Sequence, residues 1–228
     1  DSQETDEDYV NRLLDDLNNP KKYKEALIDL SPFSRQFRNI IGLKSSSTLV
    51  KLLLTSDIND ETTSNILKIM NELVRDDSLD SCSNSGYLLD EEENFLQKVF
   101  ECLVSKVAQI RGLSLGLVKN LLKLQTQKVR SYFAKNGRSQ KDFCSLINEK
   151  VEIIKTNFLY LLPDLIGDNQ DVQQILAFQL MDPLVENINA HQSNEVIPAI
   201  LALLKGNVKM QKLFVETGHL SKLYRLIE

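Results

Sequence analysis

The nonapeptides ILKIMNELV (66–74), LGLVKNLLK (115–123), LYLLPDLIG (159–167) and ILALLKGNV (200–208) decide the fold. Aligned on their apolar positions, they put Asn71, Asn120, Asp164 and Lys205 in one column, at steps of 49, 44 and 41 residues. Within each, apolar residues recur three and four apart, which gives a helix one apolar face. A second series starts at Gln127, Gln173 and Gln211, each opening a short apolar helix, at steps of 46 and 38 residues.

A unit of two or three helices repeating every ~40–47 residues cannot bury its faces alone; stacked on its neighbours it forms an armadillo or HEAT array. The short–short–long rhythm of residues 32–41, 48–55 and 60–75 favours armadillo. The expected fold is all-α, a right-handed α-solenoid of armadillo-type repeats. It fills residues 1–228 as a single domain of about four and a half units.

Outward from these segments the helical spacing continues. Tyr9, Leu13, Leu14 and Leu17 form one stripe, and Pro20 is expected to open a helix carrying Ala26, Leu27 and Leu30. Ser31-Pro32 is a start signal, and Gly42 a stop for the helix 32–41. Asp60 is expected to cap the helix 60–75. Residues 76–90, opening DDSLDSCSNSG, read as a long polar loop. Further helices are expected over 91–105, 113–124, 128–135, 142–147, 151–166, 172–178, 183–188, 195–205, 208–216 and 220–227. The last two have no long third helix after them, so the natural chain is expected to continue.

Composition agrees. Of 228 residues only 8 are Gly and 5 Pro, too few for the many turns of a sandwich, barrel or Rossmann fold. Three cysteines (Cys82, Cys102, Cys144) form no disulfide framework. With five acids in the first eight residues, no secretory signal is expected there. The longest charge-free run, 172–181, is too short to span a bilayer. The chain starts at Asp1 rather than Met and reads as a processed chain or a fragment.

Catalytic chemistry finds little to work with. His191 and His219 lie in polar connections, far apart, and are expected to be solvated. The cysteines lack metal-ligand spacing, and Cys102 and Cys144 sit at packing positions. No phosphate-cradling glycine motif occurs, and Gly112 and Gly116 sit inside a helix, where they permit close packing. The acids DEEE (90–93) are expected to complement a helix start. The basic stretch from Lys119 to Lys141 does not read as a platform of interleaved aromatics, and the net charge is −5, so nucleic acid is not expected. No cofactor, metal or enzymatic activity is expected.

A binding scaffold remains. In an armadillo unit the long third helix lines the concave side, and the column Asn71, Asn120, Asp164, Lys205 would face that groove. These four are the candidate protein-binding residues. Two of them match the Asn ladder with which peptide-binding armadillo proteins hold an extended chain.

Several phrases resemble one family. FSRQFR (33–38) is similar to the first repeat of the head of the general vesicular transport factors, the long tethers of the ER-to-Golgi route. QIR (109–111), VQQILAF (172–178) and FVETGHLSKL (214–223) resemble later phrases of that head, in the same order, with a polar insertion near 76–90. The resemblance implies a vesicle-tethering scaffold in ER-to-Golgi and intra-Golgi transport, cytoplasmic and peripheral on Golgi and vesicle membranes. Its implied partners are proteins: a Rab-type GTPase, Golgi tethering proteins and SNARE machinery, with a homodimer formed through the full-length chain. This segment has no heptad region, so coiled-coil pairing is not carried onto its residues. The alternative is an armadillo-type Hsp70 nucleotide-exchange factor.

Overall fold

A computed structural model describes residues 4–55, 58–186 and 193–224. Every regular element among them is helical, as the repeat reading requires. The chain divides into two compact units, 1–126 and 127–228.

The first unit holds α1 (Asp6–Asp16), α2 (Tyr23–Leu30), a 3-10 turn (Ser31–Phe33), α3 (Arg38–Leu54), α4 (Asp60–Leu73), α5 (Leu79–Glu91), α6 (Phe95–Cys102) and α7 (Ala108–Leu124). The second holds α8 (Thr126–Lys135), α9 (Gly137–Cys144), a 3-10 turn (Ser145–Asn148), α10 (Glu152–Ile166), α11 (Gln170–Glu186), α12 (Ser193–Leu204), α13 (Val208–Glu216) and α14 (His219–Tyr224). The first three nonapeptides fall on the C-terminal halves of α4, α7 and α10, and the fourth covers the end of α12 and the turn into α13. α4 packs on α7, and α10 on α12, so successive long helices are neighbours within each unit.

Local chemistry starts these helices. Thr5 and Asp8 form a reciprocal capping box on α1. Asn59, Asn136, Asn169 and Asn207 each accept the backbone N–H three residues on, at 2.8, 2.9, 3.0 and 3.1 Å, and open α4, α9, α11 and α13. Asn59, not Asp60, is therefore the cap of α4; Asp60 and Glu61 lie in the first turn, where acids suit the dipole. Leu27, Leu30, Ile41, Leu49, Leu53, Ile66, Phe95 and Phe100 build the first core. In the second, Phe133, Phe143 and Phe158 stack with centroids 5.6 and 5.0 Å apart.

Five further expectations need correction. Residues 32–41 and 48–55 are not two helices stopped at Gly42, because α3 runs through Gly42 unbroken. The glycine is there for space: a Cβ on it would lie 1.9 Å from Asn84 Oδ1. Residues 76–90 are not a loop. α5 buries Ser81, Asn84, Ser85 and Leu88, a helical spacing spelled in small polar residues that are satisfied by nearby carbonyls. Asp90 and Glu91 consequently end α5 instead of opening a helix, and α6 starts at Phe95. Residues 172–178 and 183–188 belong to one helix, α11, which continues through Pro183; 187 and 188 lie outside the described residues. Pro20 precedes α2 by a turn and does not open it.

Candidate protein-binding surface

The four column residues divide between the units, Asn71 and Asn120 in the first, Asp164 and Lys205 in the second. Asn71, near the end of α4, donates through Nδ2 to Leu67 O at 2.8 Å and to Leu113 O on α7 at 2.9 Å. Its Oδ1 accepts from Asn120 Nδ2 at 3.4 Å. Both amide hydrogens of Asn71 are thus spent, one within α4 and one tying α4 to α7, and a peptide laid on this face would find no donor on Asn71. Gly116 makes the approach possible: a Cβ there would stand 3.1 Å from Asn71 Oδ1. Of this pair Asn120, half-buried at the surface of α7, has the second amide hydrogen to offer a partner.

In the second unit the ends of the long helices are closed by side chains from neighbouring helices. Arg130 of α8 donates to Leu165 O at 3.1 Å and Asp164 O at 2.6 Å, satisfying carbonyls at the end of α10. Gly167, at φ +48°, lets the chain leave α10 over that guanidinium; a Cβ would meet Arg130 Nη2 at 2.0 Å. Gln173 of α11 does the same for α12, donating to Ala202 O and Lys205 O at 2.8 and 2.9 Å.

These closures leave a groove of about 600 Å³ on the α10–α12 side. Pro163, Pro198, Leu201, Ala202 and Leu204 make it apolar, and Asp168, Lys205 and Gln211 supply polar groups. Leu201 is 60% exposed, and Ile197 on the same helix and Tyr160 on α10 are exposed as well. Lys205 is therefore a groove residue. Asp164 is exposed on α10 and does not line the groove.

Sequence reasoning picked Lys205 and missed Pro163, Pro198 and Leu201. The available signal was Leu201 itself, a leucine on the polar side of the stripe Ala199, Ile200, Leu203.

The remaining candidate chemistry is structural. His219 is buried, not solvated: its Nε2 lies 2.7 Å from Asp182 Oδ1 and its ring packs on Phe214. His191 lies outside the described residues. Burial pushes the Cys144 thiol up to about 12 and raises that of Cys102, so neither offers a thiolate near neutral pH. Among the described residues no group of His, Cys, Asp and Glu is placed to hold a metal ion, and no helix is long and apolar enough to cross a membrane.

No protein-family model matches the chain. Curated proteins do. The intracellular protein transport protein uso1 of Schizosaccharomyces pombe is 20% identical over 233 residues, covering 96% of this chain and 22% of that protein. USO1 of Saccharomyces cerevisiae is 22% identical over 246 residues, covering 90% of this chain and 14% of that protein. Crystal structures of Uso1 superpose with TM-scores of 0.85 and 0.84 at 22% and 21% identity, over 96% and 98% of this chain and 40% of each of those chains.

The chain is a divergent homologue of the Uso1 head. The similarity runs nearly end to end, whereas the chain spans only about a fifth or less of the full Uso1 proteins. A designed armadillo repeat protein in complex with the peptide (KR)4 also superposes, with a TM-score of 0.73 at 19% identity over 95% of this chain and 91% of that one. The fold is an all-α solenoid of the armadillo kind.

Proposed function

We propose that this chain is a non-enzymatic protein-binding scaffold, the head segment of a vesicle-tethering factor acting in ER-to-Golgi and intra-Golgi transport. The observation that carries the reading is homology to the Uso1 head along 96% of the chain. The apolar groove beside Lys205 supports a protein as its target, since solvent-exposed apolar patches of this kind are sites of protein contact. Asn120, Asp164 and Lys205 are the column residues still available to a partner. A Rab-type GTPase, Golgi tethers and SNARE machinery are the partner classes, and membrane association is peripheral, through those proteins. A homodimer formed through the full-length chain is the assembly this reading implies.

The test is replacement. A Uso1 chimera whose matching head segment is exchanged for this chain should sustain growth and ER-to-Golgi cargo transport in yeast depleted of native Uso1. A chimera that is expressed at normal level, folded by limited proteolysis, and yet transports nothing would overturn the reading.

A further inference from the structure

The ends of α4 and α5 in the first unit enclose a cluster that the scaffold function does not use. Three guanidinium groups converge on one carboxylate. Arg38 Nη1 bonds Asp77 Oδ1, while Arg75 Nε and Arg35 Nη2 lie 3.4 and 3.7 Å from Asp77 Oδ2. Arg38 is unusual in two ways. Its side chain is only 6% exposed, and its Nε is buried without a hydrogen-bond partner. Its Nη1 meanwhile faces three acceptors, Asp77, Ser78 Oγ at 2.6 Å and Ser81 Oγ at 3.1 Å, with two hydrogens to give. This arginine is crowded on one nitrogen and short of an acceptor on another.

Ser78 Oγ is one of the acceptors crowded on that nitrogen, at 2.6 Å. Ser78 is the N-cap of α5, in extended conformation, and its side chain makes no capping bond to the helix. It lines an open cavity of about 280 Å³ with Arg35, Arg38 and Asp77. The whole run Arg75–Asp80 is exposed, and Leu79 is 93% exposed, with nothing packed on it. An accessible extended serine, with Asp76 two residues before it and a bare leucine after it, has the form of a kinase acceptor.

We infer that Ser78 is a phosphorylation site, and that the phosphate locks the start of α5 onto the Arg35–Arg38–Arg75 cluster. In the modification Ser78 Oγ attacks the γ-phosphorus of ATP. The Oγ–P bond forms, the bond to the ADP oxygen breaks, and the hydroxyl proton passes to the kinase's base. The product carries about −1.5 to −2 charges and three acceptor oxygens at a helix N-terminus, where both the dipole and the arginines favour them. It takes Arg38 and Arg35 from Asp77, whose carboxylate is a third exposed and can turn to water. Asp80 also lines the cavity and opposes the phosphate. Asp76 faces Lys123 at 3.7 Å and Glu72 faces Arg75 at 3.6 Å, so their charges are partly met elsewhere.

The chain should be made with phosphoserine encoded at position 78 and compared with the unmodified chain by hydrogen exchange. Amides at the start of α5 should exchange about tenfold more slowly, the scale of one to three new charge-assisted hydrogen bonds. Arg35→Gln should reduce that protection, and Arg35, being exposed, can be changed without disturbing the core. A recombinant kinase selecting an acid at −2 and an apolar residue at +1 should phosphorylate the folded chain with ATP, and Ser78→Ala should abolish the product. Unchanged or faster exchange would overturn the inference, as would no phosphate at Ser78. So would equal protection of the unmodified chain by inorganic phosphate, which would make the cluster an anion site and not a modification site. None of these outcomes depends on transport function.

Discussion

Replacing Gly42 by alanine sets two effects against each other. In the interior of a helix the change should stabilise by about 1 kcal/mol through propensity. Here the added Cβ would lie 1.9, 2.3 and 2.7 Å from Asn84 Oδ1, Cγ and Nδ2, so Asn84 must leave its place. Asn84 is 1% exposed and donates to Leu73 O at 3.0 Å and Arg38 O at 3.2 Å, joining α5 to the end of α4 and the start of α3. Losing two hydrogen bonds costs about 1–3 kcal/mol, and overpacking adds about 1–3 kcal/mol. Set against the propensity gain, Gly42→Ala should destabilise the first unit by roughly 1–5 kcal/mol. The decisive measurement is a double-mutant cycle with Asn84→Ala, read by native-state hydrogen exchange at α3 amides, which reports this unit separately from the other. In the double variant the new methyl occupies space the asparagine vacated, so the two costs should overlap by about 1–3 kcal/mol. A neutral or stabilising single substitution, or costs that add within about 0.5 kcal/mol, would refute the packing argument.

Arg130→Met removes the closure of α10, leaving the Leu165 and Asp164 carbonyls without it; opening of that helix end should become easier by about 1–3 kcal/mol, measured by hydrogen exchange in the second unit. Leu201→Asp at the groove should weaken capture of a GTP-loaded Rab-type partner at least tenfold in a titrated pulldown while leaving the circular dichroism unchanged, because the side chain is mostly exposed. The hydrogen bond from Arg38, helped by the charges of Arg38, Arg35 and Arg75, holds the Asp77 carboxyl below its ordinary value of 3.8. Its contribution to stability is therefore complete above that value and lost as pH falls through the lower folded value, so the melting-temperature advantage over Asp77→Asn should be constant above about pH 5 and shrink below about pH 4. Of the three thiols, only Cys82 should react rapidly with a disulfide reagent in the native chain, and all three in denaturant.

Much of this architecture was legible because repeats write their long helices in apolar residues. α4, α7, α10 and α12 fall where the nonapeptides put them, and Gly116 has the packing role read from it. The misreadings share one physical cause. Where two helices approach closely, the buried face is small and polar. Gly42, Ser45 and Ser46 on α3 meet Ser81, Asn84 and Ser85 on α5, each polar group satisfied by a nearby carbonyl or side chain. A reading that weights hydrophobicity sees a helix stop at Gly42 and a loop at 76–90. The spacing 81, 84, 85, 88 was helical all along, and only the letters were polar.

The binding face was harder for a related reason. A column of aligned positions reports what repeats have in common, and what they have in common is chiefly the stacking of one unit on the next. Asn71 illustrates it: the residue best placed to hold a ligand has both amide hydrogens committed to Leu67 O and Leu113 O. The same logic places Arg130 and Gln173 at helix ends. Residues free to meet a partner are those on which the stacking makes no demand. They stand out as departures from the repeat, such as an exposed Leu201 in a groove with two prolines or an exposed Leu79 next to Ser78. In an armadillo array of this kind, function is better sought in the irregular positions than in the column that reveals the fold.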